Sequence, residues 1–176
     1  MTTQILLAGS GGQGLLFAGK FLAHAGMMEG REVSWFPSYG PEARGGTSNC
    51  SVILSDDPIG SPVVLQPDVL IALNLPSYLK YEPNVRPGGL LIADNSMISE
   101  KCLRDDIRAS YLPATQMAYD EGMKGLANMI LIGRMLKETG LFAPGTVEPS
   151  MQKCIPPNKS AMLAMNLRAI ALGYGD

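Results

Sequence analysis

Residues 4–28 read QILLAGSGGQGLLFAGKFLAHAGMM, and the succession of apolar and glycine residues in this stretch decides the fold class. Gln4–Ala8 is a short apolar run of the kind that forms a buried strand. Gly9-Ser10-Gly11-Gly12-Gln13-Gly14 breaks it, and a helix over 15–28 follows, with Leu15, Ala18, Leu22 and Ala25 on one apolar face. Gly9, Gly11 and Gly14 have the G-x-G-x-x-G spacing between a strand and a helix. Such a loop lets backbone N–H groups at a helix start approach a phosphate. Gln13 adds an amide that can donate to a ligand or clamp the loop. A dinucleotide site also needs an acidic residue where the second strand ends, about 20 residues on. That strand, Glu32–Phe36, closes on Trp35-Phe36, and Glu32 stands at its beginning, the wrong end of the sheet. The spacing therefore speaks against NAD. It leaves open a different phosphate-bearing ligand, or a loop that only makes a tight turn.

Outward from this unit, the segment 37–46 (PSYGPEARGG) carries two prolines and three glycines and reads as neither helix nor strand. Thr47–Leu54 alternates, with Asn49 and Ser51 on one face and Cys50 and Val52 on the other. A parallel crossover usually needs a dozen or more residues, so the strands around this segment are expected to be antiparallel. Asp56-Asp57-Pro58 reads as a turn. Asp68–Leu73, Leu90–Ala93 and Ala109–Leu112 read as buried strands, and Pro76–Tyr81 as a short helix. Ser99, Lys101 and Asp105 suggest a capped polar helix; further helices are expected from Thr115 to Lys124 and from Leu126 to Glu138, the latter ended by Gly140. Residues 141–157 form a tail rich in proline and glycine. Asn158 is the expected N-cap of a last helix reaching Leu172, before Gly173. ANMILIGRML (127–136) and KSAMLAMNLRAIAL (159–172) are apolar nearly all round, which calls for burial inside the domain or against a partner. The expected fold is a three-layer α/β/α domain over residues 1–176, its sheet mostly parallel with at least one antiparallel strand.

Composition narrows function by exclusion. The 176 residues are 46% hydrophobic and 17% charged, with a net charge of −2. This is no electrostatic footprint for nucleic acid or an anionic membrane. The N-terminal apolar run is too short for a signal peptide, and no stretch of apolar residues is long enough to span a bilayer. Cys50, Cys102 and Cys154 lie far apart, with no CxxC pair, and His24 is the sole histidine. On the helix over 15–28, Lys20 and His24 fall opposite the apolar face and read as solvated.

The loop Tyr39-Gly40-Pro41-Glu42-Ala43-Arg44-Gly45-Gly46 has more pointed chemistry. Arg44 can fork onto a carboxylate or phosphate, and Glu42 can orient it. A surface ion pair between the two is the plainer alternative. Both flanking strands are expected to end at the same sheet edge as the glycine loop, so the two loops could share a crevice.

GSGGQGLLFAGKFLAHA, PSYGPEARGGTSNCSVILSDDPIGSP, PDVLIALNLPSYLKY and RPGGLLIADNS, in that order, resemble the gamma subunits of 2-oxoacid:ferredoxin oxidoreductases, above all the 2-oxoglutarate and 2-oxoisovalerate types. They are also similar to the third domain of pyruvate:ferredoxin oxidoreductases. The resemblance runs from Ile5 to Gly133 and rests chiefly on SYGPEARGGTSN. It implies a cytoplasmic complex that decarboxylates a 2-oxoacid, reduces ferredoxin and forms acyl-coenzyme A. Thiamine diphosphate, magnesium and [4Fe-4S] clusters would belong to the alpha, beta and perhaps delta partners, with no catalytic residue in this chain. Coenzyme A would be shared: the resemblance makes Gly9, Gly11, Gly12, Gln13 and Gly14 candidates for its pyrophosphate, with Arg44, Thr47 and Asn49 as neighbours. Tyr39, Gly40, Glu42, Gly45 and Gly46 would form a partner or site loop. The rivals are a free-standing NAD-binding enzyme and an assembly scaffold that binds nothing.

Overall fold

The computed structural model describes residues 1–39 and 47–175. Its elements are β1 (Thr2–Ser10), α1 (Leu15–Met28), β2 (Glu32–Tyr39), β3 (Thr47–Ser55), β4 (Val69–Ala72), α2 (Leu75–Tyr81), β5 (Leu90–Asp94), β6 (Arg108–Leu112), α3 (Ala114–Asp120), α4 (Ala127–Thr139), α5 (Val147–Cys154) and α6 (Ser160–Tyr174), with single 3-10 turns before β5, α5 and α6.

One mixed sheet runs in the order β2-β3-β1-β4-β5-β6. β1, β4, β5 and β6 are mutually parallel. β3 is antiparallel to both β1 and β2, and the short connection between β2 and β3 requires the latter. β1 pairs with β3 over its whole length, from Thr2 opposite Ser55 to Ser10 opposite Thr47. Strand residues alternate between two cores. Ile5, Leu7, Cys50, Val52, Leu54, Ile71 and Ile92 pack beneath α1, α4, α5 and α6. Leu6, Ala8, Ile53, Leu70, Ala72, Leu91 and Ala93 pack against Tyr78 of α2 and against Val64, Ile98 and Ile107 from irregular segments. Burial on both faces is why these strands read as unbroken apolar runs.

Several expectations are corrected. β2 continues through Pro37 to Tyr39, because it is an edge strand and an edge tolerates a residue without an N–H. Residues 98–107 form no helix. Their polar groups find tertiary partners instead: the Cys102 N–H donates to the Tyr111 hydroxyl at 2.7 Å, and Arg104 Nη1 donates to the Glu82 carbonyl at 2.9 Å. α3 stops at Asp120, and its chain turns at Gly122 before reaching Lys124. The supposed tail contains α5, whose Pro149 sits in the first turn, where the missing N–H costs nothing. α6 starts at Ser160 without a side-chain cap, passes through Gly173 and ends at Gly175 in the left-handed region. The Lys20–His24 side of α1 is partly covered, since α5 packs on α1 and leaves His24 half-buried.

Candidate functional site

β1 and β4 are parallel neighbours whose connections leave in opposite directions, through α1 toward β2 and through α2 toward β5. α1 packs on one face of the sheet and α2 on the other. A crevice opens beyond the C-terminal ends of strands at such a reversal, and the glycine loop after β1 stands in it.

Three side chains tie the loop. Gln13 Oε1 accepts from the Ser10 N–H at 2.7 Å, and Gln13 Nε2 donates to the Leu73 carbonyl at 3.1 Å, pinning the loop to the end of β4. Ser77 Oγ donates to the Gly9 carbonyl at 3.3 Å. Asn128, from the first turn of α4, donates to the Gly14 carbonyl at 3.0 Å. Gly14 caps α1 with φ 73°, and a Cβ there would lie 2.6 Å from Asn128 Nδ2, so both backbone angle and packing demand glycine. Gln13 is thus the clamp. The tip differs: Gly11 and Gly12 are exposed, with nothing within 4 Å of where a Cβ would stand. Their N–H groups have no partner among the described residues, and α1 has no acidic residue in its first turn and no side-chain cap.

Thr47 lies across from Ser10, beside the loop. Asn49 lies opposite Ala8, and its Nδ2 donates to the Tyr81 hydroxyl at 3.0 Å, so its amide ties β3 to α2. β2 and β3 meet at this edge, where Tyr39 pairs with Ser48 in the backbone ladder. Gly40, Glu42, Arg44, Gly45 and Gly46 lie outside the described residues.

Gly12, Gln13 and Leu73 form one wall of a cavity of about 290 Å³; Met97, Thr115, Ala118, Tyr119, Lys124 and Ala127 form the other. Nothing in the local sequence marks this second wall, because it is assembled from the ends of β5 and α3 and the start of α4. Its base is rigid: Asp94, fully buried at the end of β5, accepts from the Thr115 N–H at 3.0 Å and the Ser96 N–H at 3.0 Å. A larger cleft of about 670 Å³ lies between α4, α6 and residues 142–147; among the described residues that line it none is charged and none belongs to the glycine loop.

The thiols are not poised for reaction. Burial pushes Cys50 up to about 12 and Cys154 up to about 11; burial and then the Glu82 carboxylate raise Cys102. Among the described residues no three His, Cys, Asp or Glu side chains gather as metal ligands, and no helix is long and apolar enough to cross a membrane. Nor does the geometry suit NAD. β3 separates β2 from β1, so an acid on β2 would stand two strand spacings, about 10 Å, from the loop, and Glu32 pairs with Ser55 at the opposite edge. What the crevice can do is receive an anion on open backbone N–H groups beside a lysine.

The family model for pyruvate ferredoxin/flavodoxin oxidoreductase matches residues 4–175. The ketoisovalerate oxidoreductase subunit VorA of Methanothermobacter thermautotrophicus is 39% identical over 97% of this chain, which spans only 35% of that relative's length. The 2-oxoglutarate synthase subunit KorC of Methanocaldococcus jannaschii is 33% identical, over 99% of this chain and 93% of its own. Among solved structures, the gamma subunit of a keto/oxoacid ferredoxin oxidoreductase from Geobacter sulfurreducens superposes with a TM-score of 0.82 at 29% identity, over 98% of this chain and 96% of that one. A Magnetococcus marinus 2-oxoglutarate:ferredoxin oxidoreductase, solved with 2-oxoglutarate, coenzyme A and succinyl-CoA bound, shares the fold with a TM-score of 0.87 at 24% identity, over 98% of this chain and 30% of that one.

Proposed function

Because the chain belongs to the pyruvate ferredoxin/flavodoxin oxidoreductase family, we propose that it is the gamma-type subunit of a cytoplasmic 2-oxoacid:ferredoxin oxidoreductase, one domain that completes a coenzyme A site while the oxidative chemistry runs on partner chains. The observation that carries this reading is the near end-to-end match to KorC, with 93% of that subunit's length covered. The alpha and beta subunits, with or without a delta subunit, would hold thiamine diphosphate, magnesium and the clusters that pass electrons to ferredoxin. The three thiols here sit on β3, on the irregular segment between β5 and β6, and on α5, with raised pKa values, and do not compose a cluster ligand set.

Coenzyme A supplies the thiol that accepts the acyl group. This chain's part is to bind and orient it. The N–H groups of Gly11, Gly12 and Gly14 at the start of α1 would face the pyrophosphate, with Gln13 holding the loop shape. Thr47 stands beside them; Arg44 would add its fork, and Tyr39, Gly40, Glu42, Gly45 and Gly46 would meet ligand or partner.

Gly11 is the position for a test, because Gly12 has φ 89° and any side chain there adds strain, whereas Gly11 is unstrained with open space above it. In the assembled complex, Gly11→Asp should raise the KM for coenzyme A at least tenfold, about 1.4 kcal/mol of binding, with Gly11→Ala near wild type. An unchanged KM in a properly assembled Gly11→Asp complex would reduce the loop to a tight turn.

A further inference from the structure

The sheet ends on one side at β2, and the direction of its backbone groups can be followed across the strands. The Asp68 N–H donates to the Gln4 carbonyl at 2.8 Å and the Leu73 N–H to the Ala8 carbonyl at 2.9 Å, so even-numbered residues of β1 turn their backbone groups toward β4. The odd-numbered ones, Leu7 among them, turn toward β3. Leu7 stands opposite Cys50 and Cys50 opposite Pro37, so the backbone of Pro37 turns away from β3. A proline therefore fits this ladder without losing a bond. By the same alternation the N–H and C=O groups of Val33, Trp35 and Tyr39 point outward, where no described residue pairs with them.

Sheet edges are commonly blunted by short length, by charge or by a bulge. The far edge is of that kind: β6 has five residues and begins at Arg108. β2 has eight, pairs with β3 in unbroken register, and carries no charged residue from Val33 to Tyr39. Its exposed residues are aromatic instead, Trp35 at 40% and Phe36 at 43%. A Cβ on Gly19 would lie 2.9 Å from Trp35 Nε1, which puts the indole on the α1 face of the sheet and Phe36 on the other. The open edge thus has an apolar rim on both faces.

We infer that β2 pairs antiparallel with β2 of a second copy of this chain, joining two six-stranded sheets across a two-fold axis. A two-fold contact requires one patch to complement itself, and this one does. No like charges meet along it. With the axis at Phe36, Val33 exchanges both backbone bonds with Tyr39 of the other copy, and Trp35 donates to the Pro37 carbonyl. The two Phe36 rings then meet on one face and Trp35 covers Pro37 on the other, so both exposed aromatics of the strand are covered. With the axis at Ser34, Phe36 would stand against Glu32 and stay wet. One strand and its rims make a small interface, so the dimer is weak and depends on concentration. The inference stands on the sheet edge and is independent of the coenzyme A reading.

The experiment is sedimentation velocity on the purified full chain from about 1 to 100 μM, the range over which so small an interface forms and dissociates. The wild-type chain should pass from monomer to dimer. Phe36→Lys should stay monomeric while melting within about 2 °C of wild type, as a surface change does. Residues facing each other across the axis have Cα atoms about 4.5 Å apart, within disulfide reach. Phe36→Cys should therefore give a disulfide-linked dimer with oxidised glutathione, reversed by reductant. Ser38→Cys, on the same face but opposite Ser34, should give no more than the wild-type thiols do. A wild-type chain that is monomeric throughout overturns the inference, as does a dimer that Phe36→Lys leaves intact. Equal cross-linking of the two cysteine variants overturns the register. If the chain alone stays monomeric but Phe36→Lys blocks assembly with alpha and beta subunits, the edge takes a strand from a different chain and the second copy is excluded.

Discussion

Where α4 crosses α6, hydrogen is the only side chain that fits. A Cβ on Gly173 would overlap the carbonyl oxygen of Ile130, and one on Gly133 would overlap that of Ile170. Both obstacles are backbone, so neither can rotate away as a flexible side chain would. Alanine at either site forces the helices apart and opens a core that includes Ile130, Ile132 and Ile170. Gly173→Ala gains up to about 1 kcal/mol in helix propensity but loses more in packing, for a net destabilisation of about 2 kcal/mol. The chain should melt roughly 4–8 °C lower by calorimetry. Gly60→Ala, with nothing within 4 Å of the added carbon, is the control and should melt within a degree or two of wild type. Equal melting of all three proteins would mean that the crossing is not close. Read in sequence, Gly173 looks like a helix stop, because local spacing cannot distinguish a glycine that ends a helix from one against which another helix packs.

At the scale of elements, α5 is the piece that sequence patterning misses, and its effect falls on α1. It brings Lys153 beside His24, where burial first, then Lys20 and Lys153, lower the imidazole pKa below 6.5. The sign follows: the unfolded chain takes up a proton near pH 6.5 that the folded chain resists, so protonation favours unfolding. Stability is full above about pH 6.5 and declines as pH falls below it. His24→Gln should flatten the dependence of urea midpoint on pH between about 6.5 and 5.5; parallel curves for the two proteins would remove His24 from the account. The absent helix at 98–107 follows the same logic in reverse. The cap and charge pattern beginning at Ser99 is sound locally, but the Tyr111 hydroxyl and the Glu82 carbonyl offer better partners from across the chain.

For the molecule as a whole, the family contains this module at two scales: it makes up most of KorC and about a third of VorA. Its surface carries exposed apolar area, including Trp35 and Phe36 on the edge strand β2, Met162 and Met165 on α6, and the cleft beside Tyr174. Exposed apolar residues of this kind suit contact with another chain. Purified alone, the chain should carry no stoichiometric iron or acid-labile sulfide and should reduce no viologen dye with any 2-oxoacid. Dye reduction by the isolated chain would overturn its assignment as an accessory subunit; full activity on adding alpha and beta subunits is the expected complement.

The strand–glycine loop–helix start, the buried strands and the antiparallel return near residue 47 were all legible in the linear order, because each depends on periodicity and turn chemistry within some twenty residues. So was the weakness of an NAD reading, from the place of Glu32 alone. Tertiary structure alone decided that β3 lies between β2 and β1, that Gln13 spends both ends of its amide on Ser10 and Leu73, and that Asn49 serves Tyr81. It alone brought Lys124 and Tyr119 opposite Gly12. The physical reason is distance along the chain: these two residues are more than a hundred positions from the loop they face, and no local pattern encodes which strand ends will share a crevice.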